Sequence, residues 1–174
     1  MQHGDELRTL LNAVKDEMGK QAESRGELPK PILVKIAPDN TEEQLEYMAE
    51  AIRLSGMSGI IATNTTIGRD GLTHRNAGET GGLSGRPLTQ RSTEVVRSLY
   101  KLTKGRLPII GSGGIFTADD AYEKILAGAS LVEVYTAMIY KGPGVLKEIH
   151  AGLLRRLKQD GFNRITQAVG AGVR

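Results

Sequence analysis

The chain has 174 residues, enough for about one domain with a sizeable core, and its net charge of +3 comes from basic residues scattered among acids. This balance argues against a nucleic-acid partner, and the absence of cysteine excludes disulfides, thiol catalysis and thiolate metal sites. No apolar run is long enough to span a bilayer and the start, MQHGDELRTLL, is too acidic for a typical targeting peptide, so the sequence predicts a soluble chain.

A leading helix and the first strand open the chain. Apolar residues at helical spacing predict a helix over Asp5–Met18, stopped by Gly19, before a polar linker that ends at Pro31. The β-branched run Ile32–Ile36 predicts a strand. Thr41, followed three residues later by a glutamine, makes a capping-box pattern and predicts the start of the next helix.

Three further strand–helix units are predicted downstream. Their strands are Gly59–Ala62, Leu107–Ile110 and Ser130–Val134, and their helices are Ser92–Thr103, a segment capped by Thr117, and Pro143–Gln159, with a short terminal helix inside Phe162–Val169. The loop Ile67–Pro87 holds six glycines. A loop of that length inside a domain is usually functional or disordered.

The order of elements predicts an α/β fold with a parallel sheet. Short, nearly all-apolar strands are typical of parallel strands covered on both faces, and alternating strands and helices imply right-handed crossovers. A complete (β/α)₈ TIM barrel needs about 250 residues. A leading helix with about four βα units therefore predicts half of such a barrel.

Turns rich in exposed backbone N–H groups follow the last two predicted strands. Gly113 and Gly114 end one strand, and Tyr135 and Thr136 end the next, so both turns expose backbone N–H groups. In a (β/α)₈ barrel, the loops after the last two strands commonly form a phosphate site. We expect a phosphate-bearing ligand at these four residues. A plain turn, with glycines serving geometry alone, is the alternative.

Other candidates lie at the carboxyl ends of the strands, where sites form in parallel sheets. Lys35 is a cation inside an apolar run, and it points either into the mouth of a barrel or out to water. The run Thr63–Thr65 offers neutral donors and acceptors, or else caps a turn. Ser84 and Gly85 would let the backbone approach a planar ligand closely. No spacing among the histidines predicts a metal site.

Five motifs follow one another along nearly the whole chain: VKIAPD (34–39), TNTT (63–66), ETGGLSGRPL (79–88), PIIGSGGI (108–115) and LVEVYTA (131–137). In this order they resemble dihydroorotate dehydrogenase of the membrane-associated, quinone-reducing class. The resemblance implies an FMN-containing (β/α)₈ barrel that oxidises dihydroorotate to orotate in pyrimidine (UMP) synthesis and passes the electrons to quinone. It covers the C-terminal half of that barrel, so residues 1–174 are expected to form one partial, FMN-binding domain.

The resemblance also implies roles for individual residues. Lys35 would stabilise the anion of reduced FMN, and the turns after the last two strands would bind its phosphate largely through backbone N–H groups. The implied FMN-binding residues are Lys35, Thr63, Ser84, Gly85, Gly113, Gly114, Tyr135 and Thr136, and the implied orotate-binding residues are Asn64 and Thr65.

The family's base and quinone tunnel precede the matched stretch. The serine that removes the C5 proton lies before it, so no catalytic residue is assigned here. A general base contributes about 10²–10⁴-fold in rate, so we expect little or no dehydrogenase activity from this chain alone, as for a fragment or a truncated gene model. The resemblance implies a location at the mitochondrial inner membrane or the bacterial cytoplasmic membrane, although the chain itself shows no membrane segment.

A half barrel would leave two apolar strand edges unpaired, at Ile32–Ile36 and Leu131–Val134. Such edges invite pairing or aggregation. We therefore expect the isolated chain to dimerise, to pair with a complementary half, or to be poorly soluble. A monodisperse, well-folded monomer in sedimentation would contradict this.

Two other functions remain open at the level of sequence. A phosphosugar-binding half barrel would share the glycine-rich phosphate turns, but it gives no reason for ETGGLSGRPL. A non-catalytic interaction module would use its open strand edges to bind another chain. Affinity for ribose phosphates without flavin would favour the first, and a tight protein partner without flavin affinity would favour the second.

Overall fold

The computed structural model describes residues 2–173, with the backbone alone for residues 2–4. The helices are α1 (Gln2–Ser24), α2 (Glu42–Leu54), α3 (Thr89–Thr103), α4 (Ala118–Leu126), α5 (Thr136–Lys141), α6 (Gly144–Gln159) and α7 (Ile165–Ala168), and the strands are β1 (Leu33–Ile36), β2 (Gly59–Ala62), β3 (Ile109–Ser112) and β4 (Leu131–Glu133). Short 3₁₀ turns occupy Arg86–Leu88 and Ala171–Val173. The predicted order of a leading helix and four βα units is confirmed.

The four strands form one parallel sheet in the order β1-β2-β3-β4. The register places Lys35 beside Ile61, and Ile61 beside Ile110. Every carboxyl end therefore lies at the same edge of the sheet. This α/β arrangement confirms the predicted fold class.

Helices cover one face of the sheet. Ile36, Ile60 and Ile109 point into the main core, where they pack among side chains of α2 and α3 such as Leu45 and Val96. Burial of these apolar groups is the main force that holds the helices on the sheet.

The other face is open. It carries Lys35, Ile61, Ile110, Leu131 and Glu133, and Leu131 is 64% exposed. The expectation, drawn from strand composition, that both faces of the sheet are covered is therefore wrong for residues 2–173. Apolar strand composition does not distinguish a face packed against helices from one that lines the interior of a barrel. β1 and β4 are the edge strands, and self-association through them stays a prediction.

Capping boxes start the helices that follow β1 and β3. Thr41 accepts a hydrogen bond from the Gln44 N–H at 3.2 Å, and the Gln44 side chain accepts one from the Thr41 N–H at 2.8 Å. Thr117 and Asp120 make the same reciprocal pair ahead of α4. Both caps were predicted, and they set where the chain turns from a strand end into a helix.

Some predicted boundaries are wrong. α1 continues past Gly19 to Ser24 because Ala22 beyond it is buried, and this packing offsets the roughly 1 kcal/mol helix penalty of glycine. β3 extends through Gly111, where a Cβ would lie 3.0 Å from the Cβ of Ala129. Gly111 therefore serves close packing rather than a turn.

The starts of two helices were also misplaced. α3 begins at Thr89 rather than Ser92, and Thr136 begins α5 rather than a turn. α5 has only six residues, too few to show a helical apolar period. No helix within residues 2–173 is long and apolar enough to cross a membrane.

Candidate functional site

One cavity opens at the carboxyl ends of the strands. It is lined by all ten residues singled out in the sequence: Lys35, Thr63, Asn64, Thr65, Ser84, Gly85, Gly113, Gly114, Tyr135 and Thr136. Parallel strands bring these segments together because each segment follows directly from a strand or lies in a loop anchored beside one. The cavity also includes Leu88, Ser112, Ile115, Phe116 and Glu133, which the sequence did not single out.

The glycine turn Gly113–Gly114 approaches α3 closely. Its φ angles of +104° and +72° lie in the region that favours glycine. The Ser92 hydroxyl lies 3.0 Å from the Gly113 carbonyl oxygen, and the Thr89 hydroxyl donates to the Gly114 carbonyl at 2.7 Å. A Cβ on Gly114 would overlap the backbone N and Cα of Thr89. Only glycine fits this approach.

The anchored carbonyls fix where the turn's N–H groups point. In a trans peptide the C=O and the following N–H point in opposite directions. Because the Gly113 and Gly114 carbonyls face α3, the N–H groups of Gly114 and Ile115 face away from it, on the cavity side. Among residues 2–173 neither N–H donates to another protein group. Both are available to a ligand.

The start of α5 closes the cavity beside the glycine turn. Thr136, at the start of α5, donates a hydrogen bond to the Ser84 hydroxyl at 3.1 Å. Gly85 has a φ of +88°, and a Cβ there would lie 3.1 Å from the Thr136 Cγ2. The Tyr135 side chain is 77% exposed, so this residue reaches the site chiefly through its backbone. The loop carrying Ser84 is thus fixed against the end of β4.

Arg69 gives the long glycine-rich loop its shape. Its guanidinium donates to five backbone carbonyls, including Ala77 at 3.2 Å and Gly81 at 2.6 Å. Thr66 and Leu83 form an antiparallel bridge across the base of the loop. The predicted loop is therefore an ordered arm that delivers Ser84 and Gly85 to the cavity.

Two oppositely charged side chains reach the cavity from β1 and β4, the two edge strands of the sheet. The Lys35 Nζ lies 3.8 Å from the Glu133 Oε2, and the two side chains are 44% and 43% exposed. Of the two orientations open for Lys35, the structure shows the one toward the cavity. Glu133 was missed, although it stands two residues before Tyr135 at the end of a strand. A charged residue closing an apolar strand was the available signal.

The run after β2 contains an unsatisfied hydroxyl. Thr63 is 2% exposed, and its Oγ1 has no hydrogen-bond partner, although the residue lines the cavity. The Asn64 Oδ1 accepts a hydrogen bond from the Thr65 N–H at 2.9 Å, so Asn64 does cap its own turn. Thr63 caps nothing. A buried unsatisfied hydroxyl is costly, which makes Thr63 a candidate ligand contact.

Lys124 lies behind the glycine turn and was also missed. It is fully buried on α4, and its Nζ donates to the hydroxyls of Ser92 and Thr93 at 2.6 and 2.9 Å. Burial lowers the pKa of Lys124 to about 8, against the opposing effect of Asp120 and Glu123. Its spacing from buried neighbours on α4 marked it as a cation in an apolar stripe.

No group of three or more His, Asp or Glu within the described residues could hold a metal ion.

The chain resembles characterised proteins over most of its length. The family model described as "Dihydroorotate dehydrogenase" matches residues 1–157. A protein of Deinococcus radiodurans named dihydroorotate dehydrogenase (quinone) is 51% identical over 172 residues, which cover 99% of this chain and 46% of that protein. A Roseiflexus protein of the same name is 52% identical over 145 residues, 83% of this chain and 40% of that protein.

Solved structures give the same result. The ligand-free DHODH of Eimeria tenella superimposes with a TM-score of 0.90 at 44% identity, over 98% of this chain and 50% of that one. The same enzyme in complex with ferulenol gives 0.90 at 42% identity. The chain spans about half the length of the curated relatives that it matches. The model match and these identities place the chain in the dihydroorotate dehydrogenase family.

Proposed function

We propose that this chain forms the FMN-binding half of a quinone-type dihydroorotate dehydrogenase, which oxidises dihydroorotate to orotate in UMP synthesis. One observation carries the proposal: free backbone N–H groups and an unsatisfied buried hydroxyl line a single cavity beside Lys35. FMN has a phosphate and a polar ring edge, so it offers acceptors for both kinds of donor. The relatives named above support the choice of reaction.

The phosphate end of FMN fits the Gly113–Gly114 turn and the start of α5. Successive backbone N–H groups that point into a concave surface bind anions. The Gly113–Gly114 turn offers such groups. The N–H groups of Tyr135 and Thr136 lie beside it, and they donate a hydrogen bond to no described protein group. The absence of side chains on the glycines lets a phosphate approach the backbone. In our proposal these four residues hold the FMN phosphate.

The ring end fits the edge formed by β1 and β2. In our proposal Lys35 places a positive charge beside the flavin pyrimidine ring, and Thr63 with the Ser84–Gly85 backbone lines the ring and the ribityl chain. Asn64 and Thr65, both exposed at the cavity, would bind the dihydroorotate ring. FMN, when bound, supplies the two-electron oxidation. The chain's own residues bind and orient the two partners.

The base and the quinone site are proposed to come from segments outside these four βα units. The 174-residue chain alone is then expected to show little turnover. Mixing it with a polypeptide matching the first half of the Deinococcus radiodurans relative should produce oxidation of dihydroorotate by a short-chain quinone. Turnover by the unmixed chain near that of a full-length relative would contradict this division.

A quinone acceptor further implies a reaction at the bacterial cytoplasmic or mitochondrial inner membrane.

Changing Thr63 to valine should affect stability and binding in opposite directions. Removing the unsatisfied hydroxyl should raise the free energy of unfolding of the flavin-free chain by about 1 kcal/mol. It should also weaken FMN binding about tenfold, because the flavin acceptor then loses the hydrogen bond that the Thr63 hydroxyl would donate. Urea unfolding and FMN titration calorimetry measure the two effects.

Ser55 provides the matched control. Its hydroxyl is also buried and without a partner, but it lies at the end of α2, outside the cavity lining. Ser55→Ala should stabilise the chain and leave FMN affinity unchanged. Equal FMN affinity in Thr63→Val and Ser55→Ala would show that Thr63 does not contact the flavin.

Changing Lys35 to methionine should lower the reduction potential of bound FMN. The reduced cofactor carries negative charge, which the lysine would stabilise, and a two-electron shift of about 30 mV corresponds to about 1.4 kcal/mol. Glu133→Gln should shift the potential upward, because it removes the carboxylate paired with Lys35. Spectroelectrochemical titration gives both values. Shifts of the same sign would refute the assigned role of Lys35.

A further inference from the structure

A buried cation stands behind the glycine turn with no carboxylate paired to it among the described side chains. Lys124 is 0% exposed, and its Nζ contacts the hydroxyls of Ser92 and Thr93 and, at 3.4 Å, the carbonyl of Thr89. Asp120 and Glu123 of its own helix act on it only at longer range. A buried ammonium held by neutral groups is costly. Core packing alone does not call for this arrangement.

The hydrogen bonds run from Lys124 to the turn. An ammonium group only donates, so the Ser92 oxygen accepts from Lys124 and keeps its own proton for a carbonyl. Three carbonyl oxygens lie within hydrogen-bond distance of this hydroxyl: those of Leu88 at 2.7 Å, Gly113 at 3.0 Å and Thr89 at 3.5 Å. Holding the Gly113 carbonyl toward α3 turns the Gly114 N–H toward the cavity. A chain of hydrogen-bond contacts thus runs from Lys124 through Ser92 to the Gly113 carbonyl, whose peptide group carries the Gly114 N–H.

The groups that pack against Lys124 from α3 and β3 are neutral. The α3 side presents hydroxyls and a carbonyl, and β3 presents Gly111, where a Cβ would lie 3.1 Å from the lysine Cδ. The acidic groups, Asp120 and Glu123, lie on α4 itself, and the Asp120 carboxylate accepts hydrogen bonds from the N–H groups of Phe116 and Thr117. A dianionic phosphate on the far side of the turn would therefore be attracted by this charge.

We propose that Lys124 is a positioning residue for the phosphate site, acting through Ser92 to aim the Gly114 N–H and adding a positive charge behind the turn. This inference rests on the proposed FMN function. It predicts that the network matters for the phosphate and not for the flavin ring. The ratio of FMN affinity to riboflavin affinity isolates that contribution, because the two ligands differ only in the phosphate.

The experiment measures this ratio by titration calorimetry on the 174-residue chain and two hydroxyl variants. Ser92→Ala and Thr93→Val each remove one acceptor of Lys124, but only Ser92 also reaches the Gly113 carbonyl. Ser92→Ala should lower the ratio about tenfold and leave riboflavin affinity unchanged. Thr93→Val, the control, should keep the ratio within about twofold. Lys124→Met should lower it at least as much as Ser92→Ala.

The outcomes separate the two proposals. An unmodified chain that binds FMN no better than riboflavin has no phosphate site, which overturns the proposed function and this inference together. A preference for FMN that survives in Ser92→Ala overturns the inference alone. If Lys124→Met does not fold, the comparison of Ser92→Ala with Thr93→Val still decides. Equal losses of FMN and riboflavin affinity in Ser92→Ala would show that Ser92 has a general structural role, and they would also overturn the inference.

Discussion

Replacing Gly114 by alanine should lower the affinity of the chain for FMN by about 100-fold or more, which corresponds to roughly 2.7 kcal/mol. The added Cβ would overlap backbone atoms of Thr89, and neither main chain can yield without moving the start of α3. The turn must then shift, and its N–H groups no longer point together into the cavity. The left-handed φ of +72° adds about 1–2 kcal/mol of strain. Fluorescence titration with FMN measures the affinity.

Gly161→Ala is the control for backbone strain, because Gly161 lies away from the cavity. Its φ of +74° is nearly the same, but nothing lies within 4 Å of a Cβ there, and it follows α6 away from the cavity. Gly161→Ala should cost similar backbone strain and keep full FMN affinity. If Gly114→Ala kept the affinity as well, the turn would not be the phosphate site.

The stability of the chain should rise with pH through the titration of Lys124. Its folded pKa of about 8 lies below the ordinary 10.5, so between these values the unfolded state binds more protons, and higher pH favours the folded state. The gain from about pH 7 to pH 10 should be about 2.5 kcal/mol. Tyr122, whose pKa burial raises to about 12, stays protonated across this range.

Lys124→Met isolates this effect from the other lysines. Urea unfolding of both proteins at the two pH values gives the difference in their free energies of unfolding. That difference should move by about 2.5 kcal/mol in favour of the unmodified chain at high pH. A difference independent of pH would mean that the folded ammonium is not held at a lowered pKa.

The sequence predicted the parts of the fold that depend on local chemistry. Capping residues such as Thr41 and Thr117 fixed helix starts, because their side chains bond backbone three residues away. The rule that sites form at the carboxyl ends of parallel strands then brought ten scattered residues to one cavity. The assignment of eight of those residues to FMN, and of Asn64 and Thr65 to orotate, came from motif resemblance.

The features that were missed depend on contacts between elements far apart in the chain. Gly111 lies inside a strand because α4 packs against it, and Lys124 matters because α3 supplies its acceptors. Neither neighbour can be read from local sequence. The open face of the sheet was missed for a related reason: apolar strands look alike whether a helix or a barrel interior faces them.

The claim that these four βα units build an FMN site is tested directly by the visible absorption spectrum of the purified 174-residue chain after incubation with FMN and desalting. If the glycine turn holds the FMN phosphate, the unmodified chain and Gly161→Ala should retain a flavin band, and Gly114→Ala should lose it. A chain that comes through desalting colourless, yet folded by circular dichroism, would contradict the claim that these four βα units build the cofactor site.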